Sequence, residues 1–188
     1  GYVVFVADMH GLARRPTGSE NPMEFLKPLI ADPAMTRARI NGALDTLTRE
    51  AVERKIGNPD LRAAIGYCFG GANVIDLARS GTDVAAVVSM HGNLKSGMAA
   101  KSGDVKASIL VVHGAQDPIA PKADRDAFEA EMIAAGADWT MLAFGGVFHS
   151  FTDPNANRPP SSQFSSKASR YGYSLAHTFI ADAFSGKN

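Results

Sequence analysis

Apolar residues fall along this chain in two patterns. Short, near-continuous runs such as "VVFVA", "VAAVV" and "SILVVH" predict five strands: Tyr2–Ala7, Ala63–Tyr67, Val84–Met90, Ser108–His113 and Trp139–Phe144. Runs of this kind suit strands buried on both faces of a parallel sheet. Between them the apolar positions space at three and four residues. Ile40, Leu44, Leu47 and Ala51 follow Pro33, and Lys55 and Gly57 mark the expected end of that helix. Val74, Ile75 and Ala78 predict a second helix. Phe128, Met132 and Ala135, running from Pro121 to Gly136, predict a third, and Tyr173, Ala176, Phe179 and Ile180 a last one. Strands alternating with helices predict an α/β fold, a doubly wound and mostly parallel sheet with helices on both faces. An all-helical chain is excluded by "SILVVHG", which is short, β-branched and closed by glycine.

Two stretches read as loops with content, Gly11–Glu24 and Thr152–Lys167. Both are rich in Pro, Asn, Ser and Gly, and each follows a strand end, where open α/β sheets place their ligand crevices. The length of 188 residues and the 45% hydrophobic content fit a single domain with a sizeable core. Nineteen basic residues balance nineteen acidic ones without a run of like charge, which removes the electrostatic motive for nucleic acid or an anionic membrane. The opening "GYVVFVADMHG" is too short to span a bilayer. A single cysteine cannot form an internal disulfide, and a free thiol fits the cytoplasm.

That cysteine carries the chemistry. "GYCFGGANVIDLA" is a G-x-nucleophile-x-G turn between a strand and a helix. Its glycines let neighbouring backbone pass, and the helix N-terminus favours thiolate. A base and an orienting acid follow in the chain order of this architecture. Asp117 lies four residues past one strand in "HGAQDPIAP", and His149 lies five past the last in "FGGVFHSFTDP". Taken singly, each residue has an ordinary structural explanation. The cysteine makes a small buried hydrophobe, the aspartate a turn residue and the histidine a loop residue. Three such residues, each just past a strand end and in this chain order, predict that Cys68, Asp117 and His149 meet. His10 and His91 are candidates to line the pocket, His113 reads as a buried hydrogen-bonded residue and His177 as structural. No metal-ligand spacing, dinucleotide signature or phosphate loop is present, so neither metal nor organic cofactor is expected.

The segments "GYCFGG", "HGAQDPIAP" and "FGGVFHSFTDP" resemble the three catalytic segments of the dienelactone hydrolase family, α/β-hydrolases with a cysteine nucleophile. "YVVFVADMHG" resembles the strand and loop that precede them. The resemblance implies Cys68 as nucleophile, His149 as general base and acid, and Asp117 as the residue that orients His149. It also implies the Phe69 N–H as one arm of the oxyanion hole, and Arg14 or Arg15 with His91 as substrate-binding residues. Where the family places a second carboxylate-binding arginine, this chain has Thr152 and Asp153. The implied substrate therefore widens from a carboxylate-bearing lactone, the carboxymethylenebutenolidase type, to carboxylic esters generally. By strand counting within the fold, three strands and a helix preceding Gly1, about 50 residues, are expected to be absent from this chain. The family's second oxyanion arm and an acidic residue beside the thiol come from that region. The expected partner is a small-molecule ester or lactone, with no nucleic acid or membrane, in a monomer or small homo-oligomer. The rival expectation is a non-catalytic thiol that traps electrophiles or is reversibly oxidised. A purely structural domain would hold Cys68, Asp117 and His149 far apart.

Overall fold

The computed structural model describes residues 1–11 and 20–186. They form two compact units, Gly1–Asp60 and Leu61–Asn188. In the first, Asn21 caps helix α1 (Pro22–Ala31) by accepting the Met23 N–H at 3.0 Å. Asp32 then caps α2 (Pro33–Arg54) through the Met35 N–H at 2.9 Å, with a proline at the first helical position of each. The interior of α2 buries Ile40, Leu44 and Ala51, as their spacing predicts, and left-handed Lys55 at φ 54° closes it. The strand predicted over Tyr2–Ala7 is not observed. Its residues carry the apolar content of a strand but belong to neither sheet, and Val4 and Val6 stand exposed. Apolar content alone makes no strand, because the backbone groups also need a neighbour.

The second unit holds a four-stranded sheet of β1 (Ala63–Tyr67), β2 (Ala86–Met90), β3 (Ser108–Gly114) and β4 (Trp139–Phe144), in that spatial order and all parallel. This is the predicted α/β architecture. Helix α3 (Phe69–Arg79) lies against β1 and β2 on one face. Helix α5 (Ser166–Ser185) covers β2 and β3 on the other, where Val88, Met90, Leu110 and Val112 pack with Phe151, Ala168 and Ala176. Helix α4 (Lys122–Ala135) links β3 to β4 and stops at Gly136, φ 67°. The loop read over Thr152–Lys167 contains a small hairpin, β5 (Asn157–Arg158) with β6 (Ser162–Gln163), before Ser165 caps α5. Among the described residues no helix is long and apolar enough to cross a membrane.

A buried ion network ties the helices beside the sheet to the irregular β2–β3 connection. The Arg79 side chain, 1% exposed, donates to both Glu131 oxygens at 2.8 and 2.6 Å, to Asp76 at 3.1 Å and to the Leu94 carbonyl at 2.9 Å. Glu131 also accepts the Ala100 N–H at 2.8 Å. Arg79→Met is expected to lower the unfolding free energy by roughly 3–5 kcal/mol, because two carboxylates lose the guanidinium between them. A lowered urea midpoint at unchanged slope is the measurement.

Candidate active site

The strand–turn–helix at Cys68 is built by close backbone approach. Cys68 sits at φ 52°, ψ −117°, a sparsely populated region for a residue with a side chain. A Cβ on Gly66 would fall on the Gly70 carbonyl, and one on Gly71 would meet Ser89 Oγ at 2.7 Å and the Gly92 Cα at 2.8 Å. Gly70 itself has nothing within 4 Å of such a Cβ. The close packing therefore rests on Gly66 and Gly71, not on the second glycine of the motif. The turn leaves Cys68 exposed at the start of α3, with the Phe69 amide directed at its sulfur.

Asp117 follows β3 in a turn closed by its own N–H on the Gly114 carbonyl at 3.0 Å. It is 2% exposed and accepts the Ile119 N–H at 2.8 Å on Oδ1. His149 follows β4. The segment leading to it runs over the bare Cα of Gly114, where a Cβ would lie 2.5 Å from the Val147 carbonyl and 2.8 Å from that of Phe148. The hairpin then grips the loop through the Gln163 N–H on the His149 carbonyl and the Ser165 N–H on that of Phe151.

These three elements bring the predicted residues together. His149 Nδ1 lies 2.8 Å from Asp117 Oδ2, and His149 Nε2 lies 3.1 Å from Cys68 Sγ. Because the carboxylate only accepts, Nδ1 carries a proton and Nε2 faces the sulfur. Burial pulls His149 toward the neutral form, but the hydrogen bonds to Asp117 and Cys68 outweigh it and raise its pKa to about 9. The bond from His149 lowers the Cys68 thiol against the partial desolvation of the sulfur by its neighbours, helped by the imidazolium charge and the Phe69 amide. Burial would raise the Asp117 carboxyl, yet His149 and the Ile119 N–H hold it below its usual value. Taken together, these shifts favour a Cys68 thiolate paired with a His149 imidazolium beside an ionised Asp117.

His91 ends β2 at φ 42° and is 3% exposed. It lies beneath Cys68 and His149, with both ring nitrogens engaged, which corrects its expected place at a substrate-facing wall. Burial first, and then the charge of His149, lower its pKa to about 4. His113 is fully buried, as expected, and its Nε2–H donates to the Ala120 carbonyl at 3.0 Å within the Asp117 turn. His177 is exposed on α5, and His10 belongs to the unit Gly1–Asp60. Arg14 and Arg15 lie outside the described residues. Tyr67, beside Cys68 in the chain, pairs with Tyr173 of the last helix, their ring centroids 6.2 Å apart; no sequence signal marks either as a site residue. Burial and the bond to Tyr173 push the Tyr67 phenol above its usual range, so it stays protonated. Among the described residues no group of three or more His, Cys, Asp or Glu side chains is placed to hold a metal ion.

A family model described as the dienelactone hydrolase family matches residues 1–183. The chain is 33% identical to the crystal structure of P91, a dienelactone hydrolase-like promiscuous phosphotriesterase from metagenomic libraries. The match covers 95% of this chain and 73% of that one, with a TM-score of 0.83. A structure described as m3DLH is 31% identical, covering 95% of this chain and 74% of its own, with a TM-score of 0.81. The uncharacterized protein K02A2.1 of Caenorhabditis elegans is 34% identical over 126 residues, 64% of this chain and 79% of that protein.

Proposed function

Because this chain belongs to the dienelactone hydrolase family, we propose that it hydrolyses carboxylic esters or lactones through a thioester acyl-enzyme on Cys68. The observation that carries this reading is the unbroken hydrogen-bond chain from Cys68 Sγ through His149 to Asp117, at 3.1 and 2.8 Å. The Cys68 thiolate attacks the carbonyl carbon, and the developing oxyanion meets the Phe69 N–H at the head of α3. Collapse expels the alkoxide, which takes the proton from His149 Nε2, and leaves the acyl group on sulfur. Acylation removes the thiolate charge and the sulfur's hydrogen bond, two of the influences that raise the His149 pKa. The imidazole is then free to act as a base. It takes a proton from water, the hydroxide adds to the thioester, and the thiolate leaves with the acid released.

The test is steady-state hydrolysis of p-nitrophenyl acetate with mass spectrometry of the protein after mixing. Continuous turnover with a transient 42-dalton acetyl adduct on Cys68, about the mass difference of acetylation chemistry, is the expected result. A single stoichiometric burst with a stable adduct would replace the hydrolase with an electrophile-trapping thiol. A second substrate class, phosphotriesters, is favoured by the similarity to P91 over 95% of this chain. Attack of the thiolate on phosphorus, loss of an aryloxide and hydrolysis of the thiophosphate ester would follow the same order.

The proton on His149 also predicts a pH dependence. Its pKa is raised to about 9, so the imidazolium persists through neutral pH and is lost as pH rises through that value. For an alkyl ester, whose alkoxide must be protonated to leave, kcat/KM is expected to fall above pH about 9 with a slope near one. For p-nitrophenyl acetate, whose phenolate leaves unprotonated, the fall is expected to be shallower. Parallel profiles for the two substrates would argue against His149 as the acid.

A further inference from the structure

One buried imidazole touches both reactive members of the site without belonging to the chain of proton transfer. His91 Nδ1 receives the Cys68 N–H at 3.2 Å, a donor shared with the Met90 carbonyl at 3.0 Å. An amide N–H only donates, so Nδ1 is unprotonated and the ring proton sits on Nε2. That N–H donates to Thr152 Oγ1 at 2.7 Å, three residues beyond His149. The ring also meets the His149 ring edge to face, with centroids 5.1 Å apart at 69°, and that of Phe151 at 5.1 Å and 82°. One side chain at the end of β2 thus holds the turn after β1 and the loop after β4. Cys68 and His91 both have positive φ, so the two strand ends are strained where they face each other.

We propose that His91 is a positioning residue. It accepts the Cys68 amide and backs the His149 ring, fixing the distance between sulfur and imidazole, while Thr152 holds it in the one tautomer that can do so. The demand for such a device is physical. A displacement of about 1 Å between reacting groups costs on the order of 10²-fold in rate, and a strained turn left to itself has easier conformations to relax into. This inference rests on the Cys68 hydrolase reading, so its test carries a readout that does not need hydrolysis.

The variants are His91→Leu, which removes both hydrogen bonds, and His91→Asn, whose Oδ1 occupies the place of Nδ1 and keeps the acceptor. Thr152→Val removes only the tautomer lock. Each is assayed for kcat and KM on p-nitrophenyl acetate, for the rate of Cys68 alkylation by iodoacetamide at pH 6, and for thermal unfolding. For His91→Leu we expect kcat and the alkylation rate to fall by about 10- to 100-fold, with KM little changed. His91→Asn should recover most of that loss, and Thr152→Val should lie between. The proposal is overturned if His91→Leu keeps kcat and alkylation within about twofold. It is equally overturned if His91→Asn is as slow as His91→Leu, or if only KM moves, which would return His91 to substrate binding. Should His91→Leu fail to fold, His91→Asn against Thr152→Val decides on the same two rates. If the wild-type protein itself does not turn over, the hydrolase reading fails while the alkylation series still judges His91.

Discussion

Cys68→Ala is expected to lower kcat/KM for p-nitrophenyl acetate by at least about 10⁴-fold, the scale on which nucleophile removal acts in triad hydrolases. The variant should form no acyl adduct under conditions where the wild type shows one. Nothing in the packing gives it another cause for inactivity. Cys68 is exposed, so losing the thiol opens no cavity, and alanine keeps the same backbone burden at φ 52°. Its melting temperature should therefore stay within a few degrees of the wild type. What remains after the substitution reports binding and the Phe69 N–H acting on water alone. Turnover within tenfold of the wild type would remove Cys68 from the mechanism.

Asp117→Asn is expected to lower kcat by roughly 10³- to 10⁴-fold while changing KM far less. The carboxylate accepts the Nδ1 proton of His149 at 2.8 Å from a site 2% exposed. An asparagine of the same shape can turn its NH₂ toward Nδ1, which makes that nitrogen an acceptor and moves the ring proton to Nε2. A neutral imidazole so protonated cannot take the proton of the thiol, and the aspartate charge that supported the imidazolium is gone. Alkylation of Cys68 at pH 6 should slow in parallel, because the sulfur then holds its proton. An unchanged alkylation rate with a lowered kcat would confine Asp117 to the later, water-activating step.

Much of this arrangement is legible in the sequence because its determinants are local. The run that became β2 is apolar on both faces because α3 and α5 cover both of them, and helix spacings such as Phe128, Met132 and Ala135 survive intact. The meeting of Cys68, Asp117 and His149 follows from strand order, since parallel strands bring their C-terminal ends to one edge. Tyr2–Ala7 shows the limit. Its residues match a strand in content, but pairing depends on a neighbour that no local pattern encodes. Helix α1 is not legible in the sequence because it is ten residues long with Pro28 inside, too short and too interrupted for its periodicity to stand out from the loop before it. His91 is visible in the sequence as a strand-end histidine, but its hydrogen-bond partners are not. Its partners lie 23 and 61 residues away, and one of them is a backbone amide, which every residue but proline possesses. The glycines carried a similar ambiguity. Gly114 signals nothing on its own, and only the path of Val147 and Phe148 over it explains why a side chain is excluded.

That crossing at Gly114 also governs how the molecule comes apart. The Ala115 and Gln116 amides donate to the Phe144 and Val147 carbonyls at 2.9 and 3.0 Å, so the segment bearing Asp117 and the segment bearing His149 are joined through their backbones. Segments joined in this way are expected to open and close together. Cys68 is held by its amide to the end of β2, by α3 and, through His91 and Thr152, to the loop after His149. An opening that breaks the His91 bridge is expected to part the sulfur from an Asp117–His149 couple that stays joined. The reactivity of the single thiol of this chain is therefore expected to report on this joint before the sheet as a whole unfolds.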